Sequence, residues 1–280
     1  MSHSPPQAQH AAEAGRLFRE GNLANALAAA TAAVRQAPAD LGARILLAEL
    51  LLFAGNLERA DVVLDACAEL DPTAALAAAE FRQLLRGETA RRQLFSDGRV
   101  PEFVGEPTAA HRLALAAVVA LRNGATGEAG KLAAQAEEAR VHPSGRVGDR
   151  TFDDLRDADD LLATCLEVIT TTGKYFWIAP ERVTELELHR MKRPRDLFWR
   201  RATMRITDGP EGDVYLPTIY PPVAIEAAAL TDALRLGRAT DWQQVGGDGP
   251  TRGLGAVTLL VGDEAFTWRE LDKLSFGAAG

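Results

Sequence analysis

Gly21-Asn22-Leu23-Ala24-Asn25-Ala26 returns 34 positions later as Gly55-Asn56-Leu57-Glu58-Arg59-Ala60. Pro38 returns as Pro72 in the same register. A period of about 34 with small residues at matched places is the signature of the tetratricopeptide hairpin, two helices joined by a tight turn. The residue types fit that reading. Gly21 and Gly55 end the first helix of each unit, where a left-handed residue is needed. Ala14, Ala48, Ala26 and Ala60 are small enough to let paired helices approach, and Ala33 and Cys67 do the same near the second helix's end. Leu17 and Leu51 fill the space between hairpins. Pro38 and Pro72 stop the second helix.

Outward from these two units, Gly124 and Ala129 predict a third hairpin over residues 110–141, with a second helix two residues longer before Pro143. A helical insert, Thr73 to Phe95, separates it from unit two. Beyond Gly173 the composition changes from Ala-rich to aromatic, β-branched and Gly/Pro-rich. Tyr175 to Ile178, Val183 to Leu188, Ala202 to Thr207, Val214 to Tyr220 and Val257 to Val261 read as strands. The third and fourth are joined by a turn from Asp208 to Asp213. Helices first and strands later predict an α+β protein. Residues 8–145 form a tetratricopeptide-like α-helical superhelix, and residues 146–276 a smaller mixed α+β domain. Phe152 to Thr172 carries apolar residues at helical spacing, Leu155, Leu162, Leu166 and Ile169, and predicts one more helix. Its acids, Asp153, Asp157 and Asp160, gather on the opposite face.

The chain has 280 residues and a net charge of -8. That charge disfavours nucleic acid and anionic membrane as partners. The N-terminus lacks a signal peptide's apolar core, and no apolar run reaches membrane-spanning length. A cytoplasmic location is the expectation. Cys67 and Cys165 are too few for a disulfide framework or a zinc site and read as small core residues. The histidines, His3, His10, His111, His142 and His189, are never paired at metal spacing. No metal, cofactor or catalytic residue is expected. The Asp153–Asp160 cluster lacks a calcium-loop pattern and reads as a solvated helix face near a helix start. Arg193 to Arg201 is the densest basic and aromatic run. It reads as a short helix anchored by Leu197, Phe198 and Trp199 with solvated arginines around it. Gly246 to Pro250 reads as a mobile loop.

Longer runs extend over both halves. They include Glu49-Leu50-Leu51-Leu52-Phe53-Ala54-Gly55, Phe152-Asp153-Asp154-Leu155-Arg156-Asp157 and Thr172-Gly173-Lys174-Tyr175-Phe176-Trp177. Arg193-Pro194-Arg195-Asp196 and Leu234 to Trp242 continue the series. In these runs the chain resembles the ImpE family, also called SciE or TagJ, of type VI secretion accessory proteins. The resemblance implies a non-enzymatic, cytoplasmic role beside the contractile sheath. The implied partner is the N-terminal helix of the small sheath subunit and, through it, the sheath-recycling unfoldase. In a tetratricopeptide stack the first helix of each hairpin lines the concave side. That register places Phe18, Arg19, Ile45, Glu49, Leu52 and Phe53 on a strip expected to grip such a helix. The alternative is a small-molecule sensor or enzyme in the C-terminal domain, for which Asp153, Asp157, Tyr215 and Trp242 are the residues to suspect.

Overall fold

The computed structural model describes residues 6–71, 73–221 and 230–277. His3 and the repeat's stop residue Pro72 lie outside the described residues. The helical half runs α1 (Pro6–Glu20), α2 (Leu23–Gln36), α3 (Leu41–Phe53), α4 (Leu57–Leu70), α5 (Ala75–Ser96), then the two-residue strand β1 (Glu102–Phe103), α6 (Ala109–Arg122) and α7 (Thr126–Ala139). Three helical hairpins, α1–α2, α3–α4 and α6–α7, are thus formed, with α5 as the insert.

One turn closes all three hairpins. Gly21, Gly55 and Gly124 have φ of 86°, 80° and 79°. In each, the glycine N–H donates to the carbonyl three residues back and the next N–H to the carbonyl five back, Asn22 to Leu17, Asn56 to Leu51 and Ala125 to Ala120. This is the Schellman closure, and a side chain other than glycine is strained at its left-handed position. Asn22 and Asn56 then cap the following helix by accepting the N–H of Asn25 and Arg59 at 3.2 and 3.1 Å. Ala26, Ala60 and Ala129 are fully buried between paired helices. The third hairpin's second helix has 14 residues, as α4 has, and is not longer. The helix stops at Arg140, whose backbone is already extended.

The second half is built almost entirely of strands among the described residues. They are β2 (Gly145–Val147), β3 (Arg150–Phe152), β4 (Leu155–Asp157), β5 (Leu166–Thr170), β6 (Tyr175–Ile178), β7 (Val183–Leu188), β8 (Trp199–Ile206) and β9 (Glu211–Pro217). After a one-turn helix α8 (Asp232–Arg235) come β10 (Thr240–Gln244), β11 (Thr251–Gly255), β12 (Thr258–Val261), β13 (Glu264–Thr267) and β14 (Lys273–Phe276). Nine strands make one sheet in the order β1-β6-β5-β9-β8-β7-β14-β2-β3. β13-β12-β4 and β10-β11 form two smaller sheets. β1, from the helical half, pairs in parallel with β6. One apolar core runs from Ala14 to Leu274 across both halves.

Where strands were expected, strands form, and Leu186 and Leu188 face inward while Glu187 is exposed. The β8–β9 turn is shorter than expected, because Glu211 to Asp213 pair with Thr203 to Arg205. The helix expected over Phe152–Thr172 does not form. That stretch is split among β3, β4 and β5, and its backbone is paired with β2, β12, β6 and β9. Every residue from Leu161 to Ile169 is buried, so the stretch has no solvent side for a helical stripe to oppose. Cys165 is buried, as expected, but in the turn before β5. The expected short helix over Arg193–Arg201 is a single 3-10 turn, Pro194–Leu197, after which Phe198 and Trp199 are buried and Trp199 opens β8. Gly246 to Pro250 is a turn docked on α7: Thr126 Oγ1 donates to Asp248 at 3.0 Å, and Gly249 and Pro250 are buried.

The halves meet where α5 lies on β5. A Cβ at Gly87 would stand 2.4 Å from Ile169 Cγ2. Only glycine allows that approach, and it sets the seam described next.

Candidate functional site

The repeat register does bring the expected strip together. Phe18 of α1 and Phe53 of α3 pack with ring centroids 5.3 Å apart. The strip is not open, however. Phe53 meets Phe198 edge-on at 5.4 Å, and the Arg238 guanidinium lies 5.9 Å from the Phe18 ring. Leu52, Glu49, Phe53 and Phe18 are 0, 3, 3 and 6% exposed. Arg19 stays exposed and Ile45 half-buried. The expected partner-facing groove is therefore filled by the chain's own second half. Its apolar side chains need a cover, and Phe198 supplies one within the molecule. The aromatic pair Phe198-Trp199 was the signal in the sequence that such a cover existed.

The cover is fastened by hydrogen bonds to helix ends. Arg238 donates to the carbonyls of Arg19 at 2.9 Å and Phe18 at 2.6 Å, at the exposed end of α1. Asp232 accepts the N–H of Leu23 at the start of α2 at 2.8 Å. Cations at a helix's carbonyl end and anions at its amide end also complement the helix dipole. The run ending at Trp242 thus holds the first hairpin to the sheet.

Two buried charge networks lie here, one across the seam and one within the second half. Arg91 of α5, fully buried, donates to Glu167 of β5 at 2.8 and 2.6 Å and to the Ile219 carbonyl at 3.0 Å. Tyr175 and Trp177 extend it, Tyr175 donating to Glu167 at 2.5 Å and Trp177 to the Tyr175 oxygen at 2.7 Å. In the second network Arg252 donates to both oxygens of Asp159 at 2.9 and 2.7 Å, and Tyr220 donates to Asp157 at 2.6 Å. Burial and the charge of Asp159 push the Asp157 carboxyl well above the usual carboxylate range. Asp154 pairs with Arg140, and Asp160 accepts the Thr251 N–H at 2.6 Å. Most of the acids read as a solvated face are hence structural, tied to Arg140 at the end of α7, to Tyr220 and to β11.

Two titratable groups sit in the seam without full satisfaction. One oxygen of Glu49 has no hydrogen-bond partner among the described residues. Burial pushes its carboxyl up to about 7, against the pull of Arg195 and Arg193. His111 of α6 lies between Phe103 and Trp177, at 5.2 and 6.2 Å, and burial pushes its imidazole down to about 4.

The residues suspected for a sensor or enzyme do not converge. Asp157 and Trp242 both touch Tyr220, one through the hydroxyl and the other edge-on at 5.9 Å. Tyr215 lines a separate basic cleft, and Asp153 is exposed elsewhere. Among the described residues no three His, Cys, Asp or Glu side chains are grouped to hold a metal ion. No helix among them is long and apolar enough to cross a membrane.

A tetratricopeptide repeat model matches residues 17–81, and the model described as ImpE protein matches residues 149–275. The chain is 32% identical to the type VI secretion system accessory component TagJ of Pseudomonas aeruginosa over 234 residues, 83% of this chain and 82% of that one. The chain belongs to the ImpE family. Its fold is also that of a Vibrio parahaemolyticus protein of known crystal structure, with a TM-score of 0.88, 28% identity, and 95% and 98% of the two chains covered. That cover shows the whole assembly of repeats and sheet to be shared with a solved structure. A type VI secretion accessory role follows from the family.

Proposed function

We propose that this ImpE protein is a non-enzymatic adaptor of the cytoplasm that holds a helical segment of the small sheath subunit and so assists sheath assembly or recycling. The observation that carries the reading is the match to an accessory component over most of both chains, with helical repeats, a protein-binding architecture, at its start. The chemistry of the interior supports it. The buried acids and arginines are spent on joining the halves and on tying the second half together, and do not converge on an open cleft. Contact through the expected strip would run through Arg19 and Ile45, its members that reach solvent.

The test is a titration of a dye-labelled peptide carrying the sheath subunit's N-terminal helix. Saturable binding by the wild type is expected, weakened at least about tenfold in Arg19→Glu/Ile45→Glu, with circular dichroism confirming the fold. No binding of either the peptide or the intact sheath subunit overturns the adaptor reading. Binding that the double variant leaves unchanged overturns the site alone.

A further inference from the structure

We propose that the cleft between the start of α5 and the β7–β8 connection is a receptor for an acidic segment of a protein partner. The cleft encloses about 490 Å³. Arg190, Lys192, Arg193, Arg195 and Arg201 line it, against two acids, Glu80 and Asp196. The whole chain carries a charge of -8, so this concentration of cations runs against the mean.

The cleft wall is pre-organised, and one of its two acids is committed to the backbone. Asp196 accepts the backbone N–H groups of Lys192 at 2.7 Å and Arg193 at 3.0 Å, closing the turn that presents their side chains. Arg195 is half-buried and held over the Phe81 ring at 4.9 Å. Arg201 is paired with Asp213, which also accepts from Thr203 at 3.0 Å. Arg190, Lys192 and Arg193 are exposed, and among the described residues no carboxylate comes within ion-pairing distance of their side chains. Elsewhere the chain matches arginines closely, as Arg82 with Asp61 and Asp65, or Arg140 with Glu137 and Asp154. Lys192 and Arg193 on the pinned turn and Arg190 just before it repel one another, and an incoming carboxylate-rich segment removes that repulsion.

The shape selects the partner's class. A nucleic acid presents phosphates along a length, so it would leave the cleft and run over a surface of opposite preference. A short run of Glu or Asp needs only the cleft. Two or three bidentate arginine contacts give such a segment both affinity and orientation. This goes beyond the helix-holding reading and stands or falls separately, because the probe below carries no sheath sequence.

The probe is a dye-labelled decapeptide of alternating Glu and Ala, with its Gln/Ala twin, inorganic phosphate and a ten-nucleotide oligothymidine as comparisons. Saturable binding of the Glu peptide to the full chain is expected at about 50 mM salt, falling as salt rises. Lys192→Glu/Arg193→Glu should weaken it at least about tenfold, whereas Arg35→Glu/Arg59→Glu, exposed on α2 and α4, should not. Circular dichroism checks each fold, and the milder Arg190→Gln, expected to weaken binding about threefold, serves if the reversal variant is unstable. The proposal is overturned by no saturable binding, by equal binding of the Gln twin, by an affinity the cleft variants leave unchanged, or by tighter binding of phosphate or the oligonucleotide.

Discussion

The three hairpins and the stretch from Phe152 to Thr172 look alike as sequence patterns, since each offers apolar residues at helical spacing. They fold by different rules. Each hairpin turn is settled within nine residues: a left-handed glycine, two backbone hydrogen bonds and, in two of three cases, an Asn cap. The second stretch is settled by distant partners. Asp157 is bonded by Tyr220, 63 positions away, and Asp159 by Arg252, 93 away. A segment buried on all sides shows apolar residues at every phase, so a helical phase can be found in it without meaning a helix. A local code repeats and is readable; burial by remote chain is not.

If remote partners hold the second region, then removing one should cost far more than removing a local cap. Arg91→Met is the sharpest case. It keeps the bulk and deletes the charge that neutralises Glu167, leaving carboxylates buried at the seam with Glu88 only 3.6 Å from the lost guanidinium. Breaking a buried pair in this way costs about 3–5 kcal/mol. Chemical denaturation of the variant should show that loss. A loss below about 1 kcal/mol would mean that the seam is held by apolar packing and that the charge network adds little.

Legibility followed the same division. The repeat period announced α1 to α4, the third hairpin and even the meeting of Phe18 with Phe53, because each follows from a register that recurs along neighbouring units. Short alternating runs such as Val183 to Leu188 announced strands for the same reason. What could not be read was occupancy. The strip of Phe18, Leu52 and Phe53 has the composition of a binding groove and of an interior seam alike, and the choice rests on Phe198 and Arg238, remote in sequence. Likewise the basic run alone does not show that Asp196 pins its turn by accepting two backbone amides.

Glu49 separates the two kinds of region by pH. It sits on a repeat helix, but its environment comes from the cover, Arg193 to Asp196. Its folded pKa is raised from the ordinary 4.5 to about 7. Between those values the folded state holds a proton that the unfolded state has lost, so Glu49 makes stability fall as pH rises through that window. His111 works the other way: lowered to about 4, it makes stability fall as pH drops below its ordinary 6.5. Glu49→Gln keeps the shape and removes the first slope. The variant should be more stable than the wild type at pH 8 by about 1–3 kcal/mol and show little difference at pH 4.5. Thermal unfolding across pH decides it: a difference that does not vary with pH would mean that Glu49 is hydrated in the folded state.

The smallest effect tests the local code itself. The third hairpin repeats the turn of the first two but has Ala125 where they have Asn22 and Asn56. The backbone there is the same, with φ and ψ of -85° and 68° at Ala125 against -94° and 74° at Asn56, and Ala125 is exposed. No side chain caps α7. Ala125→Asn should therefore place its side-chain oxygen on the Glu128 N–H, as Asn56 does with Arg59. An Asn cap in place of Ala is worth about 0.5–2 kcal/mol. The gain should appear as a higher denaturation midpoint with an unchanged slope, and Asn56→Ala should lose a similar amount. Were both variants neutral, the turn's stability would lie in the glycine and its two backbone bonds alone. The hairpins would then owe their order, like the sheet, to what packs against them.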